Sequence, residues 1–475
     1  MAVIETETIV SESQISALVD SLLTNYPPEK IKSVDFLAAQ FDAGLAWVHF
    51  EVGNGGLGAS PKHQKIVNEA IAAANGPSSY ARNPIGYGMC APTIAQWGTE
   101  EQKKKYLRPL FTGEEIWCQL FSEPGSGSDF AGLSAKGVRD GDEWIINGQK
   151  VWTTLAHLSK LGLLVVRTDP QAAKHAGLTA VIVDMNAAGV EVRPLRQMTG
   201  EAEFNEVYFT DVRVPVSETL GNAGDGWRVS LTTLMNERVA IGGSIPRKAT
   251  GPIREAVKIW QSLSRNDRSS ATKDELMKLW IKAEVLRLTN IRAGQNRRMG
   301  TPGPEGSIGK VASAELNKDT YEFCVGLLGA NGMLYGSYEM VRPETAMSFD
   351  SVPKAFLRSR ANSIEGGTTE VMKNILGERV LGLPGDVRVD RDTAGASAPE
   401  ELVLQIIEAL APRLGVDEVS IAQEDEYFPP PRHIRQLQSA IETVVTVMLG
   451  GSLARQKIVD DRKLAASTVL ALLAG

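Results

Sequence analysis

The chain has 475 residues, 43 % of them hydrophobic and 23 % charged, with a formal net charge of −7. That length supports two to four domains around a large buried core, and mild acidity without a long basic block argues against nucleic acid as a partner. Cys90, Cys118 and Cys324 lie too far apart for a metal knuckle or a disulfide framework, which predicts a reducing cytoplasm and no metal centre.

From Ser11 to about residue 110 the pattern is helical. Ile15, Leu18, Val19, Leu22 and Leu23 recur at three- and four-residue spacing, the stripe of an amphipathic helix that Pro27-Pro28 ends. A second helix is predicted from Phe36 through Trp47 into the Gly53–Gly58 loop, a third over Gln64–Ala74 and a fourth over Ile94–Leu107. At Ile116 the character changes. Trp144-Ile145-Ile146, Asn147-Gly148 and Gln149-Lys150-Val151-Trp152 predict a β-hairpin with an Asn-Gly turn. Leu161–Arg167, Leu178–Asp184, Val190–Arg193 and Glu206–Val212 predict further strands. Helical spacing returns after Gly221–Gly226, through Trp227, Leu231, Leu234 and Ile241, then Leu276, Leu279, Trp280, Ala283 and Leu286, then Ala312, Leu316, Phe323 and Leu327. Long helices in succession make a bundle.

Inside the β region, Leu120-Phe121 enters a turn of Ser122, Glu123, Pro124, Gly125, Ser126, Gly127 and Ser128. Such a turn leaves backbone N–H groups free and adds three small hydroxyls, so it is either an anion cradle or a plain Gly/Ser surface loop. No Gly-x-Gly-x-x-Gly opens a βαβ unit anywhere in the chain.

Together with Trp152-Thr153-Thr154 and the late Gly366-Gly367-Thr368-Thr369-Glu370, this turn resembles the acyl-CoA dehydrogenases. Those are FAD enzymes that introduce a trans double bond between the α and β carbons of an acyl-CoA thioester. The resemblance covers about residues 10 to 390. It implies an α+β multidomain fold: an N-terminal helical domain (1–115), a middle β-barrel-like domain (116–225) and a C-terminal four-helix bundle (226–390), before a linker and helical extension (391–475). By position, Gln119, Leu120, Phe121, Ser122, Gly127 and Ser128 match the segment along the flavin and its pyrophosphate, with Ser128 also near the substrate's pantetheine arm. Trp152, Thr153 and Thr154 match the segment on the isoalloxazine ring, and Thr368 and Glu370 the stretch that reaches FAD from the bundle. This would be an FAD site without a Rossmann fold. The resemblance further implies an electron-transfer flavoprotein as acceptor and a homotetramer, a homodimer or a heteromer.

Two stretches depart from the family pattern. Ser262–Arg268 lacks the Phe-Gly of an Arg-x-Phe-Gly element that touches a neighbouring subunit's FAD, leaving Arg265 or Arg268 as replacements. The Gly-Gly-Asn-Gly of many relatives is Gly329-Ala330-Asn331-Gly332 here.

The chemistry needs a carboxylate to take the α-proton and donors on the thioester oxygen. Aligned on Gly367-Thr368, Gly366 stands where many relatives carry that glutamate, and Glu365 falls one residue early. One branch of the family moves the base to a bundle helix, which Met235-Asn236-Glu237-Arg238 resembles. Glu237 lies three residues after Leu234 and four before Ile241, a face shared with apolar side chains that would desolvate it and raise its pKa. The other reading of Glu237 is a structural partner of a nearby arginine. On the first reading Glu237 is the base and Gly366 supplies a backbone N–H. The alternatives are an FAD-binding subunit of a heteromer with weak or no activity, or a related flavin oxidase acting on nitroalkanes or amines.

Residues 391–475 extend past the resemblance. Leu402, Val403, Ile406, Ile407 and Leu410 line one helical face, and such faces are expected to pack on the bundle or in a subunit interface. No run reaches the ~18 apolar residues of a membrane helix, and the acidic start lacks the features of a secretory signal, so a soluble protein is expected.

Overall fold

The computed structural model describes residues 10–242, 248–298, 304–345 and 351–384. Six helices come first: α1 (Glu12–Asn25), α2 (Ser33–Asp42), α3 (Gln64–Ala73), α4 (Ser79–Arg82), α5 (Ala91–Trp97) and α6 (Glu100–Thr112), with one π-helical turn at Gly86–Cys90. α1 begins where the Ser11 hydroxyl accepts the Gln14 N–H and the Gln14 side chain accepts the Ser11 N–H. Its predicted stripe buries Ile15, Val19 and Leu22.

Two helix expectations need correction. The helix predicted through Trp47 ends at Asp42, because the chain turns at Gly44 (φ 72°) and the amides of Ala46 and Trp47 both donate to the Gly55 carbonyl. The helix predicted over Ile94–Leu107 is two helices. It breaks at Gly98, and Thr99 with Gln102 forms a second reciprocal cap that starts α6.

The β region contains β1 (Trp117–Leu120), β2 (Lys136–Asp140), β3 (Glu143–Thr154), β4 (Leu161–Arg167), β5 (Leu178–Asp184), β6 (Val190–Leu195), β7 (Phe204–Pro215) and β8 (Thr219–Leu220). The strand path is β6-β7-β3-β2-β4-β5-β8, with β1 parallel to β4. β4 and β5 are buried on both faces, which is why they read as unbroken Leu and Val runs. Alternate residues serve different cores. Leu163, Val165, Ala180 and Ile182 pack with the N-terminal helices, while Leu164, Val166, Val181 and Val183 pack with Val207, Phe209 and Val212 of β7.

The Asn147-Gly148 pair is not a hairpin turn. β3 runs straight through it, and its register against β7 shifts between Ile146 and Gly148. Asn147 donates to the Asp211 carboxylate and accepts the Asp211 N–H, both at 2.9 Å. A Cβ on Gly148 would stand 2.6 Å from the Ala135 Cβ. The pair builds a β-bulge instead, and the hairpin turn lies at Gly141-Asp142, between the paired Asp140 and Glu143.

The second helical unit holds α7 (Gly226–Gly242), α8 (Pro252–Ser262), α9 (Ser270–Arg298), α10 (Glu305–Leu328), α11 (Val352–Ser359) and α12 (Thr369–Arg379). α10 touches each of the other five, around a core of Ile253, Ala256, Leu276, Leu279, Leu316, Phe323 and Cys324. The outer face of α9 leaves Met277, Ile281, Val285 and Leu288 about half exposed. Cys90, Cys118 and Cys324 are all buried free thiols. Among the described residues no helix is long and apolar enough to cross a membrane, and no group of side chains could hold a metal ion. The expected helical extension over 391–475 lies outside the described residues.

Candidate functional site

The turn after β1 is tighter than its sequence suggests. Glu123 and Ser126 exchange backbone bonds at 3.0 and 3.1 Å, and the Ser126 hydroxyl folds inward onto the Asp129 carbonyl. Two amides and one hydroxyl are thereby consumed. The amides of Gly125, Gly127 and Ser128 donate to no group among the described residues, and a Cβ on either glycine would meet nothing within 4 Å. Gly127 and Ser128 are exposed, Gln119 and Ser122 half-buried, Leu120 and Phe121 buried.

Beneath the turn sits a buried ion pair. Glu123 accepts from Lys150 Nζ at 2.8 Å, from the Ser134 N–H and hydroxyl at 2.6 and 2.8 Å, and from the Ala135 N–H at 3.0 Å. Lys150 Nζ also donates to the Phe121 carbonyl at 3.0 Å. Burial pushes the Glu123 carboxyl up, but Lys150 and the two amides outweigh it and hold it below its ordinary value. One residue on, the Val151 N–H donates to the Ser122 carbonyl at 2.9 Å. The structure therefore brings the 119–122 and 150–154 segments together.

Trp152 occupies a second irregularity of β3, between Lys150 and Thr153, with φ of 60°. That left-handed residue turns its indole outward, 57 % exposed and edge-on to Phe204 at 5.8 Å. Thr153 is fully buried, and its hydroxyl meets no partner. Its carbonyl accepts from Asn205 at 3.1 Å, while Thr154 pairs with Phe204. An outward indole, an orphaned buried hydroxyl and a cradle of unclaimed amides fit a cofactor with a flat ring and a phosphate linker.

The late loop is anchored by Arg358 on α11. Its guanidinium donates to both oxygens of Glu365, at 3.1 and 2.8 Å, and to Glu203 at 3.3 Å. Glu365 also accepts from Asn362 at 2.7 Å. Gly366 and Gly367 follow with φ of 65° and 91°. Thr368 caps α12, its hydroxyl accepting the Val371 N–H, and Glu370 is exposed in that helix's first turn.

Glu237 stands half-buried on α7, one turn beyond Thr233. The Thr233 hydroxyl bonds that of Thr93 at 2.9 Å, and Trp97 Nε1 donates to Thr232 at 2.9 Å, so two side-chain bonds fix α7 to α5. The π-helical turn packs on the same helix, and such turns recur at functional sites. Arg268 is engaged within its own chain. It donates to the carbonyls of Leu263 and Gln261 and lies over the Trp260 ring at 5.2 Å.

Lys150, Glu203, Asn205 and Arg358 organise the site without any short motif to announce them. Glu123–Lys150 spans 27 positions and Glu203–Arg358 spans 155. The readable signal was weaker: charged residues set inside otherwise apolar strand or helix patterns.

Two helical units flank a β-sheet, and a turn whose amides at Gly125, Gly127 and Ser128 donate to no described group follows its first strand. Three family profiles match in order: acyl-CoA dehydrogenase N-terminal domain at residues 24–114, middle domain at 118–212 and C-terminal domain at 224–381. Acyl-CoA dehydrogenase IpdE1 of Mycobacterium tuberculosis is 34 % identical over 348 residues, spanning 73 % of this chain and 86 % of that protein. Among solved structures, the ChsE4-ChsE5 complex from Mycobacterium tuberculosis matches with TM-score 0.60 and 29 % identity, over 78 % of this chain and 96 % of the matched one. The Tcur3481-Tcur3483 steroid ACAD matches with TM-score 0.60 and 25 % identity, over 78 % and 97 %. The chain belongs to the acyl-CoA dehydrogenase family, whose members are FAD-dependent flavoproteins.

Proposed function

We propose that this chain dehydrogenates an acyl-CoA thioester to the trans-2-enoyl-CoA with Glu237 as the α-proton base. The observation that argues against a base in the late loop is the engagement of Glu365: Arg358 grips both its oxygens and Asn362 a third time, so Glu365 braces that loop. The Asn236-Glu237-Arg238 pattern on α7 supports Glu237. Glu237 takes the α-proton on a carboxylate oxygen. The Gly366 N–H donates to the thioester oxygen as enolate charge develops there. FAD, when bound, supplies the acceptor for the β-hydride.

Gln119 to Ser122 would line the flavin edge, and the amides at Gly127 and Ser128 would hold the pyrophosphate, with Ser128 also meeting the pantetheine arm. Trp152 would cover the ring, Thr153 and Thr154 would meet its polar edge, and Thr368 and Glu370 would approach from α12. The domain limits proposed with this reading are 1–115, 116–225 and 226–390. A bulky acyl group is favoured, in keeping with the steroid ACAD among the structural neighbours. Electrons would leave to a separate flavoprotein.

A second reading is an FAD-binding heteromer subunit with weak activity. The engagement of Arg268 within its own chain favours it, because one of the two replacements for the missing Phe-Gly element is then occupied, leaving the exposed Arg265 as the other. Anaerobic mixing with acyl-CoAs, following the flavin band, decides between the two. Glu237→Gln should keep FAD and slow bleaching by about 10² to 10⁴, with Glu365→Gln far milder. Slow bleaching only in the Glu365 variant would return the base to the late loop. Equal, fast bleaching in both would leave neither glutamate as base.

A further inference from the structure

We infer that Arg358 is a positioning residue that sets the register between the Gly366 turn and the Trp152–Thr154 segment. The inference rests on the dehydrogenase reading, in which one of those segments meets the thioester and the other the flavin.

On one side Arg358 holds Glu365, the residue before Gly366, through a two-pronged contact at 3.1 and 2.8 Å. Asn362 holds the same carboxylate and is itself held by Asn317 of α10 at 3.2 Å. On the other side Arg358 reaches across to the β-sheet. Nη2 donates to Glu203 at 3.3 Å, and the guanidinium lies over the Phe204 ring at 5.6 Å. Those two residues are the ones that fix the flavin-side segment: the Glu203 carbonyl accepts the Leu155 N–H at 2.8 Å, and Phe204 pairs with Thr154 and abuts Trp152. One side chain thus bridges two segments that enter from different domains.

Stability alone is a poor reason for this arrangement. Side-chain exposure is 4 % for Arg358 and 1 % for Glu203, and burying such charges seldom gains over apolar packing, whereas fixing one register is their best-attested use. The planar fork suits arginine, whose donors are fixed in direction, whereas a lysine ammonium is a compact point charge on a flexible stem. Reacting groups are sensitive to such placement, and about 1 Å of displacement can cost about 10² in rate.

The test uses full-length, FAD-loaded protein carrying Arg358→Lys, Arg358→Met or Glu365→Gln. Melting midpoint, FAD content, acyl-CoA affinity and the pH profile of anaerobic bleaching are measured with short, branched, long-chain and steroid CoA thioesters. Arg358→Lys should retain FAD and bind acyl-CoA within about threefold of wild type, yet bleach about 10 to 100 times more slowly with an unmoved pH profile. Glu365→Gln should lose about threefold to tenfold, because the amide keeps one prong. Wild-type bleaching in Arg358→Lys overturns the inference, as does a rate loss that merely follows lost FAD. A loss beyond about 10³ in Glu365→Gln together with a vanished acid limb also overturns it, by making Glu365 the base. Should Arg358→Met not fold, the other two variants decide. A wild-type protein that no thioester bleaches overturns the dehydrogenase reading and the inference with it, whereas bleaching unaffected by Arg358→Lys overturns the inference alone.

Discussion

Lys150 has no solvent exposure and two acceptors, the Glu123 carboxylate and the Phe121 carbonyl. Lys150→Met would strand a buried carboxylate, and removing one partner of such a pair costs about 3–5 kcal/mol. Urea melts should show that loss. The double variant Lys150→Met with Glu123→Met should recover part of it, because no charge is then left unpaired. His157 gives a pH signature. Asn205 faces its Nδ1 at 3.3 Å and the Pro343 carbonyl its Nε2 at 3.0 Å, near Arg342. Burial first, then Arg342, depress its pKa below 6.5. The folded state then binds fewer protons than the unfolded one, so stability falls as pH drops below 6.5 toward the folded value. Urea midpoints at pH above and below that value should differ, and His157→Gln should flatten the difference.

At the scale of elements, β3 is where sequence and structure part company most usefully. Asn-Gly is a strong hairpin signal, yet here strand pairing on both sides overrides it, with β2 on one edge and β7 on the other. Gly148→Ala would place a Cβ 2.6 Å from the Ala135 Cβ and 2.7 Å from its Cα. Overpacking of that kind costs about 1–3 kcal/mol, readable as a lower melting midpoint with FAD content largely kept. The break between α5 and α6 was legible, since Thr99-Glu100-Glu101-Gln102 spells a capping box, but the apolar period runs across it. Strands β4 and β5 were plain in their Leu and Val runs. The candidate stretches 119–128 and 152–154 could be singled out in the sequence because each is continuous in the chain. The site's braces could not, because Lys150, Glu203 and Arg358 find their partners only after the chain has folded.

For the whole molecule, the half-exposed apolar line of Met277, Ile281, Val285 and Leu288 on α9 is the kind of surface an assembled protein covers. Removing residues from Gly395 onward is expected to alter assembly or solubility while leaving flavin reduction by substrate intact. Loss of turnover in a truncated protein that stays assembled and loaded with FAD would overturn that expectation.

The three cysteines are distributed one to a domain: Cys90 in the π-helical turn, Cys118 on β1 and Cys324 on α10. Burial pushes all three thiols up, Cys118 and Cys324 to about 12 and Cys90 well above its ordinary value. None will react with an alkylating reagent while its surroundings stay closed. Each is therefore a built-in clock for the opening of its own region, needing no engineered label. A pulse of iodoacetamide across a urea series, followed by peptide mass spectrometry, would read three local unfolding curves from one sample. Adding FAD or acyl-CoA would then show which of those clocks the ligand slows.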